Sequence, residues 1–271
     1  MKVKILYEDD AVLVIHKPAG VPVQTKKIGC MDCVSELKNY LKKSGNQSGE
    51  KPGDYHSNQN QSSKNQRNKN RSDKNQSNII QSNKNRSDKN REIPYLGIIH
   101  RLDQPVEGLM VFAKTPRAAA ALSGQIASED DSRMLKCYEA EVYGKMPATE
   151  GELTDYLIHN PADNTSSIAE GTQQNNAGAK LSRLAYRVTK ENEKTQKLYI
   201  RLYTGRHHQI RVQLSHAGAP ILGDQKYGTE SSVRYSAENG YRMIALKAVH
   251  LEFIHPVSGR KMKWDLEETT E

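Results

Sequence analysis

An α+β fold, with one mixed or antiparallel sheet carrying helices on its faces, is the class that these 271 residues predict. Two observations point there. Strand-like runs outnumber helix-like runs, and most of the strand-like runs are joined by hairpin-length links. The length suits one large domain or two small ones.

The elements follow in chain order. KVKILYE (2–8) and AVLVIHK (11–17) read as two short strands joined across Asp9 and Asp10, ending in the turn Lys17-Pro18-Ala19-Gly20. DCVSELKNYLKKSG (32–45) reads as a helix. Val34, Leu37 and Leu41 share one face, Asp32 can cap the start, and Gly45 follows the end. GLMVFAK (108–114) is a strand. In TPRAAAALSGQIASE (115–129), Thr115 stands at an N-cap, Pro116 at the first helical position, and the body is alanine-rich. KCYEAEVYG (136–144) alternates like a strand, with Tyr138, Ala140 and Val142 on one side. AKLSRLAYRVTK (179–190) and KLYIRLYTG (197–205) are further strands. RHHQIRVQLSHAG (206–218) reads as a helix, with Ile210 and Leu214 on one face and Gly218 just past its end. RMIALKAVHLEFIHP (242–256) closes as a strand.

Residues 44–92 stand apart. They hold 11 Asn, 6 Gln and 9 Ser among 49 residues, with only Tyr55, Ile79 and Ile80 apolar, and the octapeptide NKNRSDKN occurs at 68–75 and again at 83–90. One duplicated octapeptide is too little for a solenoid. Such a tract cannot bury enough surface to offset its ordering entropy, so a disordered low-complexity insertion is expected. The folded domain is then 1–43 together with 93–271. The tract also carries ten Lys or Arg against five Asp or Glu, hence +5 of the chain's +8. The basic balance that suggests a polyanionic partner therefore lies mostly in the insertion.

Cys30, Cys33 and Cys137 are an odd, sparse set and make no disulfide framework. Cys30-x-x-Cys33 has metal-ligand spacing without a second pair, and no metal is expected. The start, MKVKILYEDD, reaches acidic residues before a signal-type apolar region can form. No stretch approaches the ~20 apolar residues of a membrane span. A soluble, cytoplasmic protein is expected. Nucleotide-binding glycine motifs and the G-x-S-x-G elbow are absent.

Two stretches carry chemistry. GIIHRLDQPVEGLMVFAKT (97–115) sets Asp103 among apolar residues, beside Arg101 and His100. Burying that charge is costly unless it is paired. TGRHHQIR (204–211) places Arg206, His207 and His208 at an expected helix start, with Arg211 about one turn on. That arrangement can clamp a phosphate or hold a buried carboxylate.

The order of five segments resembles an RNA pseudouridine synthase of the RluA type. They are YEDDAVLVIHKPAGVPV (7–23), HRLD (100–103), KCYEAEVYG (136–144), GRHHQIRVQL (205–214) and PILGDQKYG (220–228). Apart from the insertion, the likeness spans most of residues 5–260. It leaves no expected place before residue 5 for the extra RNA-binding domain that some relatives carry. The resemblance implies the pseudouridine synthase fold, a central mixed or antiparallel sheet with flanking helices and a long active-site cleft. It implies that Asp103 is the catalytic aspartate, Tyr138 the active-site tyrosine, and Arg211 the arginine that salt-bridges the aspartate. Arg101 would stand near the vacated base position. His100, Arg206, His208, Gln209 and Lys17 are the further residues expected to contact RNA. No cofactor is implied. The partner is rRNA or tRNA, presenting a uridine in a stem-loop to a monomer.

One departure is visible. The family usually follows HRLD with two residues and then Thr-Ser-Gly, whereas here Gln104-Pro105 leads to Val106-Glu107-Gly108. An exposed Glu107 would repel phosphate.

The implied reaction breaks the base-sugar bond of uridine, turns the uracil and rejoins it through carbon. It needs a carboxylate that stays ionised where water is excluded. Burial raises a carboxylate's pKa, and an adjacent arginine opposes that shift. Two other classes stay open from the sequence: a nucleoside glycosidase using Asp103 with Glu107 as a carboxylate pair, and a non-catalytic RNA-binding module.

Overall fold

A computed structural model of the chain describes residues 2–27, 29–44, 93–171, 175 and 178–266. Met1–Asn39 and Tyr95–Glu271 form one compact unit; Tyr40–Pro94 is a second, described only over 40–44 and 93–94. The insertion expected over 44–92 lies outside the described residues, except that Ser44 ends a helix.

Eleven strands among the described residues make one mixed sheet. They are β1 (Lys4–Glu8), β2 (Val12–Lys17), β3 (Gly97–Ile98), β4 (Glu107–Ala113), β5 (Leu135–Tyr143), β6 (Glu150–Asn160), β7 (Thr165–Ile168), β8 (Lys180–Glu191), β9 (Thr195–Leu202), β10 (Leu246–Ile254) and β11 (Lys261–Asp265). The order is β1-β2-β4-β10-β5-β9-β8-β6-β7, with β3 on β4 and β11 on β10. Every neighbouring pair is antiparallel except β4 with β10. Four helices accompany the described sheet: α1 (Cys33–Ser44), α2 (Pro116–Ala127), α3 (Gln209–His216) and α4 (Glu230–Glu238).

The helix starts follow from their caps. The Asp32 carboxylate accepts from the backbone N–H of Ser35 at 2.7 Å and opens α1. Thr115 Oγ1 accepts from the N–H of Ala118 at 3.1 Å, and Pro116 begins α2 where its missing N–H costs nothing. α2 lies over β2, β4 and β10, where Ala118 and Leu122 bury themselves with Val12, Val14, Leu109, Val111, Leu251 and Phe253. Each fully buried large side chain there contributes about 1.5–3 kcal/mol.

The sheet has a seam. β4 and β10 pair only over Glu107–Lys247 and Gly108–Ala248. Beyond those two pairs the strands part. β10 takes β11 on that edge, and β4 takes β3. The seam requires glycine: Gly108 has φ +137°, and a Cβ there would meet the Ala248 carbonyl oxygen at 2.3 Å.

Several elements go beyond the expectation from sequence. β6, β7, α4 and β11 form where no element is expected, and the strand expected to enter at Ile93 is only the two residues of β3, Gly97–Ile98. α3 begins at Gln209, not at Arg206, because His208 takes a left-handed conformation (φ 53°) and the Gln209 side chain occupies the turn before it. Gln209 Oε1 accepts from Thr204 Oγ1 at 2.8 Å and from the Arg206 N–H at 3.0 Å.

Candidate active site

Asp103 stands on the loop between β3 and β4, at the seam. A turn closes behind it, with the Val106 N–H donating to the Asp103 carbonyl at 3.0 Å. Lys17, at the end of β2, is fully buried and fastens this loop. Its ammonium donates to the carbonyls of Pro18, Val21 and Gln104 at 3.1, 2.7 and 3.0 Å. Burial lowers its pKa to about 8. Val106 is buried in the core, and Glu107 is held by His16 at 2.9 Å and Lys247 at 3.2 Å. The Val-Glu pair in place of Thr-Ser is thus one core residue and one neutralised carboxylate. The phosphate repulsion expected of an exposed Glu107 is offset by its two basic partners.

The other side of the seam supplies the rest. α3 brings Arg211, whose Nη1 donates to Asp103 Oδ2 at 3.3 Å. The guanidinium is shared unequally, because Nε and Nη2 grip Asp224 Oδ2 and Oδ1 at 2.7 and 2.8 Å. Asp224 is sealed from solvent and also accepts from the N–H groups of Lys226 and Tyr227. The Tyr227 ring lies under Arg211, with Cζ 5.0 Å from its centre. Arg211 is therefore fixed by Asp224 and Tyr227, and offers its remaining nitrogen to Asp103.

His208 completes the surroundings of the carboxylate, with Nε2 at 3.6 Å from Asp103 Oδ2. Both side-chain contacts of Asp103 fall on Oδ2; among the described residues Oδ1 has none. Burial pushes the Asp103 pKa above the ordinary carboxylate value, and Arg211 opposes the shift. Tyr138, on β5, is buried, and its hydroxyl makes no hydrogen bond to a described residue. Burial, and then the negative charge of Asp103, push its pKa up, so the phenol keeps its proton.

The residues expected to touch RNA divide. Arg101 and Arg206 are exposed, the latter with Nε bonded to the Leu181 carbonyl at 3.0 Å. Lys17, Gln209 and His208 are turned inward. The Gln209 amide is used within the protein, Nε2 donating to the Arg183 carbonyl and to Gln213 Oε1. His100 accepts from the Val111 N–H at 3.3 Å, and burial takes its pKa down to about 3. Asp224 and Tyr227 were given no role by the sequence reading, although both lie in the PILGDQKYG segment. An Asp followed by backbone donors two and three residues on is a local turn signal that marks such an anchor. Glu107 is tied to His16 and Lys247 and Asp224 is sealed, so neither makes a working pair with Asp103.

Residues 11–216 match the family described as RNA pseudouridylate synthase. The chain belongs to that family. Curated relatives include the ribosomal large subunit pseudouridine synthase D of Haemophilus influenzae, 34% identical over 180 residues, covering 64% of this chain and 52% of the relative. The protein of the same name from Vibrio cholerae is 36% identical over 180 residues, with the same coverage. The chain spans about half the length of these relatives. Among solved structures, human RNA pseudouridylate synthase domain containing 4 superposes with a TM-score of 0.63 at 18% identity, over 97% of this chain and 88% of that one. It shares the fold.

Proposed function

We propose that this chain isomerises uridine to pseudouridine in RNA, with Asp103 as the reacting carboxylate. The observation that carries the reading is a half-buried carboxylate gripped on one oxygen by Arg211 and left open on the other, with a protonated Tyr138 nearby. The target uridine flips out of its stack, at a cost of a few kcal/mol, and Arg101 occupies the gap it leaves. Asp103 acts on the sugar or base as the bond between N1 and C1′ breaks. The uracil turns, C5 bonds to C1′, a proton leaves C5 and N1 gains one. Tyr138 stacks on the uracil and exchanges a proton through its hydroxyl. Arg211 keeps Asp103 ionised.

RNA as partner also suits the outer surface. The guanidinium carbons of Arg183 and Arg201 lie 5.1 and 5.2 Å from the Tyr203 ring centre, and that of Arg133 lies 5.8 Å away. Such a cluster fits a phosphate backbone. The substrate is large-subunit ribosomal RNA, by analogy with the names of the relatives, and the enzyme works as a cytoplasmic monomer.

The test is an unmodified large-subunit rRNA transcript incubated with the purified protein, then digested and analysed by mass spectrometry. Unchanged mass with a new carbodiimide-reactive nucleoside is expected. Loss of a base would indicate a glycosidase instead, and binding without product would indicate a non-catalytic module.

A further inference from the structure

The neighbours of His208 settle where its proton lies. The Tyr227 hydroxyl oxygen accepts from the Ser166 backbone N–H at 2.8 Å. Its other hydrogen-bond partner among the described residues is His208 Nδ1, at 2.7 Å. A phenol that already accepts from an amide has its own hydrogen to place, and Nδ1 is the acceptor within reach. Nδ1 therefore carries a lone pair. His208 is also buried and flanked by Arg211 and by the His207 ring, stacked at 3.7 Å. Burial first, and then Arg211, hold its pKa down at about 3, so the ring is neutral. A neutral imidazole that accepts at Nδ1 has its one proton on Nε2. That nitrogen faces Asp103 Oδ2.

We propose that His208 is a positioning residue: Tyr227 locks it as the Nε2–H tautomer, and with Arg211 it pins Oδ2 of Asp103 so that Oδ1 is presented to the substrate. The proposal rests on the isomerase reading for its consequence, but not for its geometry. The line Ser166 N–H, Tyr227 O–H, His208 Nε2–H, Asp103 runs from β7 to the reacting carboxylate. At 3.6 Å the two atoms stand just beyond hydrogen-bond length, and hydrogen bonds at active sites commonly tighten only in the substrate complex.

Two measurements test this. The first needs no substrate: long-range ¹H–¹⁵N correlation spectra of histidine-labelled protein at neutral pH. His208 should show a protonated Nε2 and a bare Nδ1, and Tyr227→Phe should convert it to a mixture of tautomers. A wild-type Nδ1–H tautomer, or an imidazolium, would overturn the proposal. The second compares His208→Gln with His208→Met on an unmodified large-subunit rRNA transcript. Both variants lose the ring and bear the same left-handed backbone, but only Gln keeps an N–H near the Nε2 position. The single-turnover rate should fall by about 10–100-fold in the Met variant, the range for one hydrogen bond to a charged group. Gln should recover most of it, with RNA affinity alike in both. Equal rates for the two variants would overturn the proposal. A wild-type protein that isomerises nothing would sink the isomerase reading and leave the spectroscopic result to decide the tautomer.

Discussion

Arg211 and Asp224 form a two-pronged ion pair, Nε to Oδ2 at 2.7 Å and Nη2 to Oδ1 at 2.8 Å, out of reach of solvent. This pair, and not the contact with Asp103, holds the arginine in place. The two aspartates should therefore fail in different ways. Asp224→Asn breaks a buried pair, which costs about 3–5 kcal/mol. Asp103→Asn removes the reacting group and leaves the frame, so stability and RNA binding should stay near wild type while product vanishes. Thermal melts and a pseudouridine assay on both variants check this. Turnover by Asp103→Asn within tenfold of wild type would remove Asp103 from the chemistry.

The same two carboxylates have opposite pH signatures. Burial alone would raise the Asp224 pKa, but Arg211 and two backbone N–H groups outweigh it and leave the value below the ordinary 3.8. Its stabilisation is present above that value and is lost as pH falls through the depressed folded pKa. The Asp103 pKa is raised, so the native state holds its proton more tightly, and stability falls slightly as pH rises through the window above 3.8. Melting temperature against pH should thus lose part of its acid limb in Asp224→Asn. In Asp103→Asn a small gain should appear above pH 4.

Removing Arg211 takes away the main group that opposes burial at both carboxylates. Arg211→Ala should raise the Asp103 pKa further and destabilise the domain by about 3–5 kcal/mol. Where the variant stays folded, the rate should recover in part at higher pH, as Asp103 ionises. An unchanged pH–rate profile would show that the arginine does not govern that carboxylate.

Tyr138→Phe keeps the buried ring and removes a hydroxyl that has no described protein partner. No internal hydrogen bond is lost, so the melting temperature should hold. The rate should drop by about 10²–10⁴, the range for lost general acid–base catalysis. A near-normal rate would confine Tyr138 to stacking.

Gly108→Ala tests the seam. The new methyl would meet the Ala248 backbone at 2.3 Å, at a φ of +137°. Strain and overpacking together should cost about 2–6 kcal/mol. That corresponds to roughly 5–20 °C in melting temperature. Circular dichroism melts check it, and an unchanged melt would mean the strands can part without cost.

Much of this was legible from residue types alone. β5, β8 and β9 alternate, β2 and β4 are apolar runs buried along their length, and α1 and α2 carry their caps in plain sight. β6 was not, because GELTDYLIHN mixes acids and apolar residues on a half-exposed strand near the sheet margin. At the site, the motifs carry Asp103, Tyr138 and Arg211, and the fold sets Arg211 on Asp103. The resemblance implies RNA contacts for Lys17 and Gln209, yet the Lys17 ammonium goes to main-chain carbonyls and the Gln209 amide is used within the protein. The Gln104 carbonyl that Lys17 reaches is 87 residues away, and no local pattern records such a pairing. Asp224 carries a local turn signal, but its pairing with Arg211, on another element, is not written in it.

An interior strand of the sheet comes late among the described strands. β10 stands between β4 and β5, yet residues 246–254 follow every other described strand but β11. Until they are made, β4, next to the Asp103 loop, and β5, which bears Tyr138, have no neighbour in common. A nascent chain therefore carries the parts of its reactive centre unjoined. The two sides of the Asp103 site can be joined through the sheet only once residues 246–254 are in place.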